Sequence, residues 1–397
     1  MTRVMVAVKT TEGARWILPQ IHALRARGLE VVVLLPQGDG RLATEVLALI
    51  DRDAGVELLR SPFDFRFSVR LGLLTELVAL RRAVKAANVQ CVLYHLYATA
   101  LAIRLATWGL KLGRVHMIAG PLYLESPLIA TAERFLCHLD SHIICGSEYT
   151  YTLYRRLGMA RDRMSVVPYG VDTELFQPGS PEEGAAARKD LGLPPQGLVA
   201  VMVSYVYAPK RLVHRGQAIK GHEVLLRAWR EFHRRHPEST LLLVGSGFDA
   251  AGERHRQEII HRFDYEAGRD GVIWLDSVID VRSAYRSADV SISPSLSDNH
   301  GSALEASAMG LPCIVSDAGA LPEAVESDAG WIHKAGSVED LLLCLERCAE
   351  ADSAGQLRRR GAASRRHIVT HFDQEASTQM VVKQVVVALE TVVSKDA

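Results

Sequence analysis

Short, wholly apolar runs alternate with longer amphipathic stretches along almost the whole chain. VMVAV (4–8), VVVLLP (31–36), VEL (56–58), CVLYHL (91–96), VHMIAG (115–120), HIICGS (142–147) and SVVPYG (165–170) read as strands. RWILPQIHALRARG, closed by Gly28, reads as a helix between the first two strands, and ATALAIRLATWGLK as one after CVLYHL. Continuous apolar strands of this kind are buried on both faces, as in a parallel sheet wrapped by helices. FQPGSPEEGAAARKDLGLPPQG (176–197) interrupts the pattern with Pro, Gly and charge, and reads as a linker. The alternation restarts with LVAVMVSY, TLLLVGSG (240–247), VIWLDS (272–277), DVSISPS (289–295), PCIVSD (312–317) and AGWIH (329–333). With 397 residues, two domains are expected. The fold class is therefore α/β, with two doubly wound Rossmann-like domains facing across a cleft. The first covers 1–178 and the second 179–371, and a last helix at about 372–393 packs back on the first.

Ligands of such sheets bind beyond the carboxyl ends of the strands, so the loops there are the informative ones. Lys plus Arg and Asp plus Glu both number 46, so no overall field points to a nucleic-acid partner. The cysteines (91, 137, 145, 313, 344 and 348) form no C-x-x-C pair, which suits buried reduced thiols. The N-terminus enters a strand directly, without a basic start, apolar stretch and cleavage site, and no apolar run approaches bilayer length. A cytoplasmic protein is expected.

Two loops stand out. PSLSDNHGSALEASAMGLPCIVSD (294–317) sets a knot of small polar residues between a strand and an Ala-rich helix. A helix start with free amides is a ready anion site. The amides of Gly301, Ser302, Ala303 and Leu304 are the ones to aim at a diphosphate. The bland alternative makes Glu305 a capping-box partner of Ser302. The second loop, VYAPKRLVHRGQAIKGHEVLLRAW, carries Lys210, Arg211, Arg215 and Lys220. A lysine before a helix start can serve phosphate oxygens, although such charge runs are also ordinary solvated surface.

Lys220-Gly221, Gly245-Ser246-Gly247, PSLSDNHGSALEA and Gly319-Ala320-Leu321-Pro322-Glu323 occur in the order found in retaining GT-B enzymes of glycosyltransferase family 4. VVPYGVDTELF (166–176) and TTEGARWILPQIHALRARGLEVVVL extend the likeness to the first half. The chain resembles that family over nearly its whole length. The resemblance implies a UDP-type nucleotide-sugar as co-substrate and no other cofactor. It implies that Glu305 holds the ribose hydroxyls and Lys220 the phosphates. The 298–301 loop (Asp298, Asn299, His300, Gly301) would meet the sugar hydroxyls, and Gly245 and Gly247 would lie on the donor side. Three positions depart from the pattern. Ser297 stands where a second carboxylate is usual, with Asp298 its candidate replacement. Tyr205 stands for an Arg, which Lys210, Arg211 or Arg215 could supply. Ala119-Gly120 stands for His-Gly. YVYAPKR and AGPLYLESP also bear some likeness to enzymes that glycosylate aminocyclitols in aminoglycoside antibiotic assembly.

On the acceptor side, Glu12, Gly13, His95 and Glu125 lie in or beside strand-end loops of the first half. Gly13 would let backbone approach a ligand closely, and His95, in an apolar run, fits a core residue as readily as a ligand. The resemblance implies transfer of a hexose or amino-hexose to a hydroxyl with retention and without an enzymic nucleophile. Asp298 is then the candidate sugar-face carboxylate and Lys220 the stabiliser of the leaving diphosphate. The Asp51-Arg52-Asp53 triplet follows a helix-like stretch rather than a buried strand, so no metal is expected.

Rival readings remain. Gly245-x-Gly247 fits a loose dinucleotide fingerprint, with Asp264 and Glu266 as its acids, yet acidic Asp249 and Glu253 open the next helix. An NDP-sugar epimerase, a lipid- or polysaccharide-directed glycosyltransferase and a non-catalytic nucleotide-sugar binder share the fold. The stretch 66–88 mixes apolar and basic residues, so peripheral membrane contact is an alternative to core packing with a solvated face.

Overall fold

A computed structural model describes residues 2–67, 72–209, 216–263, 269–297 and 300–393. The chain divides into two compact units, Met1–Tyr169 with Glu375–Ala397, and Gly170–Gln374. The first unit ends before the boundary of 178 expected from composition. The reason is local: the Val171 N–H donates to the Phe372 carbonyl at 2.8 Å, and the Gln374 N–H donates to that of Val171 at 3.0 Å.

The strands of the first unit are β1 (Arg3–Ala7), β2 (Glu30–Leu35), β3 (Val56–Arg60), β4 (Cys91–His95), β5 (Gly113–Ile118), β6 (His142–Cys145) and β7 (Met164–Val166). They form one sheet of order β3-β2-β1-β4-β5-β6-β7, and every pair is parallel. Its helices are α1 (Ile17–Ala26), α2 (Arg41–Ile50), α3 (Leu73–Ala86), α4 (Tyr97–Ala106), α5 (Pro127–Leu136), α6 (Glu148–Arg156) and α14 (Gln374–Val393). One face of the sheet packs Val4, Val6 and Val33 against Ile17 and Ile21 of α1 and Val381, Val382 and Val385 of α14. The other packs Met5, Val32 and Tyr94 against Leu80 of α3 and Ile103 of α4. Burial on both faces is why these strands are apolar at every position.

The second unit repeats the plan. Its strands are β8 (Val199–Val203), β9 (Thr240–Val244), β10 (Val272–Leu275), β11 (Val290–Ser293), β12 (Cys313–Ser316) and β13 (Trp331–His333). The order is β10-β9-β8-β11-β12-β13, again all parallel. The helices are α7 (Pro181–Asp190), α8 (His222–Arg235), α9 (Ala250–Phe263), α10 (Arg282–Arg286), α11 (Gly301–Ala308), α12 (Val338–Ser353) and α13 (Leu357–His371). In each sheet the order reverses once, between β1 and β4 and between β8 and β11. The loops at the carboxyl ends of those pairs flank the crevice where such folds bind ligands.

The stretch 176–197 is not a bare linker, because it holds α7. Ser180 caps that helix by accepting the Glu183 N–H at 3.3 Å, and the Glu183 carboxylate accepts the Ser180 N–H at 2.8 Å. With Pro181 at the first turn, this capping box starts a helix in a segment whose composition suggests none. All six cysteines are buried and free. No described helix is long and apolar enough to cross a membrane.

Candidate functional site

At the crevice of the second unit two loops are sewn together. Gly221 adopts φ +74°, and a Cβ there would run into the Pro294 carbonyl, so only glycine permits the approach. The Leu296 N–H donates to the Ile219 carbonyl at 2.7 Å. The Ser295 hydroxyl lies 2.9 Å from the carbonyls of both Ile219 and Ser297, and it accepts the Ser297 N–H at 3.3 Å. The Ser316 hydroxyl donates to the Ser295 carbonyl. Ser293, Ser295 and Ser297 are all buried. Ser295 and Ser316 therefore satisfy backbone groups of a buried turn that carries no regular structure. Ser297, in the place of a second carboxylate, belongs to that scaffold.

These bonds put Lys220 beside the start of α11. Lys220 and Ser302 line one small recess with Ser204 and Ser293. Burial pushes the Lys220 ammonium down to about 8. Among the described residues it forms no ion pair, and its nitrogen sits 6.0 Å from the centre of the Tyr207 ring. Tyr207 stacks on Phe248 at 4.8 Å, and exposed Tyr205 meets the same ring edge-on at 5.8 Å. Tyr205 thus joins an aromatic group around the lysine. Lys210, Arg211, Arg215, Asp298 and Asn299 lie outside the described residues.

The helix α11 begins at Gly301 with His300 as N-cap, and the His300 side chain does not cap it. The amides of Gly301, Ser302 and Ala303 head the helix without intrahelical partners. Leu304 does not join them, because its N–H closes the first turn on the His300 carbonyl at 2.9 Å. The capping-box reading of Ser302 and Glu305 fails for the same reason: both lie inside the helix. The Glu305 carboxylate instead accepts the Tyr285 hydroxyl at 3.0 Å. Tyr285 is 1% exposed. Burial raises the Glu305 carboxyl above the usual carboxylate range, and the Tyr285 bond partly offsets this. Tyr285 was invisible in the sequence, since nothing local links a tyrosine before a strand to a carboxylate 20 residues on.

Gly245 and Gly247 contribute shape rather than free amides. The Gly245 N–H donates to the Leu275 carbonyl at 3.1 Å, and a Cβ at Gly245 would strike the Ser204 carbonyl. The Gly247 N–H is taken by the Glu253 carboxylate at 2.7 Å, and Asp249 accepts the Gly252 N–H at 2.8 Å. Carboxylates of the protein therefore occupy the start of α9, where a dinucleotide fingerprint would need room for pyrophosphate. Asp264 and Glu266 lie outside the described residues.

In the first unit, Glu12 and Gly13 follow β1 and His95 ends β4, so they flank the other reversal point. The Glu12 carboxylate accepts the Arg41 N–H at 3.2 Å and so caps α2. A Cβ at Gly13 would meet no protein atom within 4 Å, so nothing within the protein itself requires glycine there. The residues bent into positive φ are instead Ala14 (+64°) and Leu96 (+68°), strain of the kind that collects at functional loops. His95 is fully buried; its Nδ1 is 2.9 Å from the Tyr169 hydroxyl, and burial lowers its imidazolium to about 3. Glu125 is exposed at the end of a 3-10 turn, Leu122–Glu125.

The sequence reading also missed a tyrosine pair beside these loops. Tyr97 and Tyr123 stack at 4.1 Å after β4 and β5. Tyr123 meets the Tyr154 hydroxyl at 2.7 Å, Tyr154 donates to Glu133 at 2.6 Å, and Arg104 donates to Glu133 at 2.7 Å and also to Asp140. Asp53, of the Asp51-x-Asp53 triplet, pairs with Arg25 at 2.8 Å. Among the described residues, Glu326, His367 and His371 are grouped closely enough to hold a metal ion. Both His367 nitrogens are nevertheless engaged, with Glu326 at 3.1 Å and the Glu323 carbonyl at 2.8 Å.

Residues 14–175 match the family described as Glycosyltransferase Family 4, and residues 208–350 match Glycosyl transferases group 1. The two glycosyltransferase matches lie largely one in each unit. A D-inositol 3-phosphate glycosyltransferase of Corynebacterium aurimucosum is 28% identical over 225 residues, 55% of this chain and 51% of that protein. The chain thus spans about half the length of the curated relatives it matches. A glycosyltransferase of Rickettsia africae superposes with TM-score 0.77 at 16% identity, over 99% of this chain and 98% of that one. HepE of Anabaena, solved with UDP and glucose, gives 0.76 at 18% identity over 97% and 99%. Both structures share the two-sheet GT-B fold seen here.

Proposed function

We propose that the second unit binds the diphosphate and ribose of an NDP-sugar, UDP being the expected nucleotide, and that the protein transfers the hexose to a hydroxyl of a small polyhydroxylated acceptor. One observation carries the reading. The Gly221–Pro294 approach sets a desolvated lysine, Lys220, beside the N-terminus of the helix that holds Glu305. A desolvated cation that has no carboxylate partner among the described residues, beside the amides of Gly301, Ser302 and Ala303, suits a diphosphate. Glu305, held by Tyr285, suits a pair of ribose hydroxyls.

As the bond between the anomeric carbon and the diphosphate breaks, negative charge grows on the leaving oxygen. Lys220 and the amides of Gly301, Ser302 and Ala303 stabilise it without reorganising. In this proposal the departing phosphate takes the acceptor's proton on the face it leaves, so configuration is retained and no enzymic nucleophile is required. Asp53 has no part in it, since it serves Arg25. The D-inositol 3-phosphate glycosyltransferases among its relatives support a cyclitol phosphate as acceptor, and an aminocyclitol shares its ring of hydroxyls. The test is mass spectrometry of mixtures holding UDP-glucose, UDP-N-acetylglucosamine or GDP-mannose with D-inositol 3-phosphate, inositol or an aminocyclitol. A glycosylated acceptor supports the proposal. Donor epimerised without acceptor, or donor bound and never consumed, overturns it.

A further inference from the structure

A cavity of ≈830 Å³ lies within the second unit, away from the recess around Lys220. It opens at the amino ends of β11 and β12, between the residues before β11, the turn after α11, the start of α7 and one side of α13. Its charge is one-sided. Arg286, Arg358, Arg365 and Arg366 line it, and no Asp or Glu does. Among the described residues none of the four forms an ion pair. Arg365 is spent on scaffolding, donating to the carbonyls of Phe176 at 2.9 Å, Thr173 at 3.3 Å and Ala308. Those partners are neutral, so its charge still reaches the cavity. Arg286 holds a buried Nε that has no hydrogen-bond partner, while exposed Arg358 and Arg366 stand on α13. The remaining wall is apolar, with Met309, Leu311 and Val369.

Four guanidinium groups on a wall that carries no acid repel one another, and an orphaned buried donor costs stability. A multiply charged oxyanion relieves both, and the planar fork of arginine matches phosphate oxygens. The volume falls in the range of small-molecule sites and exceeds what a bare phosphate fills. We propose that this cavity binds a phosphomonoester with an apolar body, its phosphate on Arg286, Arg358 and Arg366 and its body against Met309, Leu311 and Val369. The site is separate from the donor loops. It nonetheless touches Tyr285, which is among the residues lining the cavity and whose hydroxyl holds Glu305.

The probe is 1-naphthyl phosphate, titrated by fluorescence into the full chain, with inorganic phosphate and 1-naphthol as its two halves. Saturable binding at one site is expected, with each half at least tenfold weaker. R358A/R366A should weaken the probe at least tenfold, and Lys220→Ala should leave it unchanged. Both arginines are exposed, so thermal unfolding should report an intact fold; R358E gives a second, single-site check. No saturable binding, equal affinity for inorganic phosphate, or undiminished binding in both arginine variants overturns the proposal. Loss of the probe in Lys220→Ala with retention in R358A/R366A assigns it to the donor loops and overturns it equally.

Discussion

The Tyr285 hydroxyl donates to the Glu305 carboxylate at 3.0 Å, from a ring that is 1% exposed. This bond fixes the carboxylate one turn inside α11, beyond the amides that head the helix. Tyr285→Phe should leave the fold intact and weaken UDP binding by roughly tenfold, the effect of removing one hydrogen bond to a charged group. Isothermal titration calorimetry reads this directly, and unchanged affinity would show that Tyr285 does not position Glu305.

Glu305 also makes the unliganded protein depend on pH. Burial raises its carboxyl in the folded state, so between the ordinary carboxylate range and the raised value the native state holds more protons than the unfolded chain. Stability then falls as pH rises through that window. Glu305→Gln removes the penalty. It should unfold at a higher denaturant concentration than wild type at pH 7, with the gain shrinking toward pH 4, while losing UDP binding. A variant less stable than wild type at pH 7 would contradict this assignment.

Lys220 gives the opposite trend. Its ammonium is lowered from 10.5 to about 8, so the unfolded chain binds more protons between those values and stability rises with pH across them. Lys220→Met should therefore stabilise the unliganded protein at pH 7 by up to about 3 kcal/mol, the full equivalent of that shift. UDP affinity in wild type should fall as pH climbs past about 8, and in the variant it should be weak and flat. Equal pH dependence in the two proteins would remove Lys220 from the diphosphate site.

Much of this was legible in the sequence, for physical reasons that differ by element. The strands announce themselves because parallel strands covered on both faces must be apolar throughout. Lys220-Gly221 and the 294–305 knot could be found because a positive-φ glycine and a serine-rich buried turn leave local marks. What the sequence hid depends on distant partners. The Tyr285–Glu305 bond and the Tyr97–Tyr123 stack join residues from separate elements. Leu304 looked like a phosphate donor because the start of α11 could not be placed to the residue. The helix α7 hid in a stretch whose Pro, Gly and acids resembled a linker but formed a capping box.

Gly221→Ala tests the stitch between the two loops. The new methyl meets the Pro294 carbonyl, and the backbone holds φ +74°. The left-handed conformation alone costs about 1 kcal/mol, and the overlap adds to it, so a loss of roughly 2 kcal/mol or more is expected. UDP binding should fall with it, because Lys220 and α11 would be pushed apart. Urea unfolding and calorimetry check the two effects, and wild-type stability would refute the close approach.

Arg104 tests the network behind the first unit's strand-end loops. Its guanidinium, Glu133 and Asp140 are all fully buried. Arg104→Met strands two carboxylates in the interior, which should cost about 3–5 kcal/mol at pH 7. Part of that loss should return on acidification, as the stranded acids take up protons. A loss below about 1 kcal/mol in urea unfolding would mean that the triad is dispensable.

The central claim is that Lys220 and Glu305 are the polar ends of one nucleotide-diphosphate site. Calorimetric titration of UDP into wild type, Lys220→Met and Glu305→Gln at pH 7 tests it most directly. Saturable binding by wild type, with at least a tenfold loss in each variant, is the predicted result. Wild-type affinity in either variant, or no binding by the wild type to UDP or GDP, would contradict it.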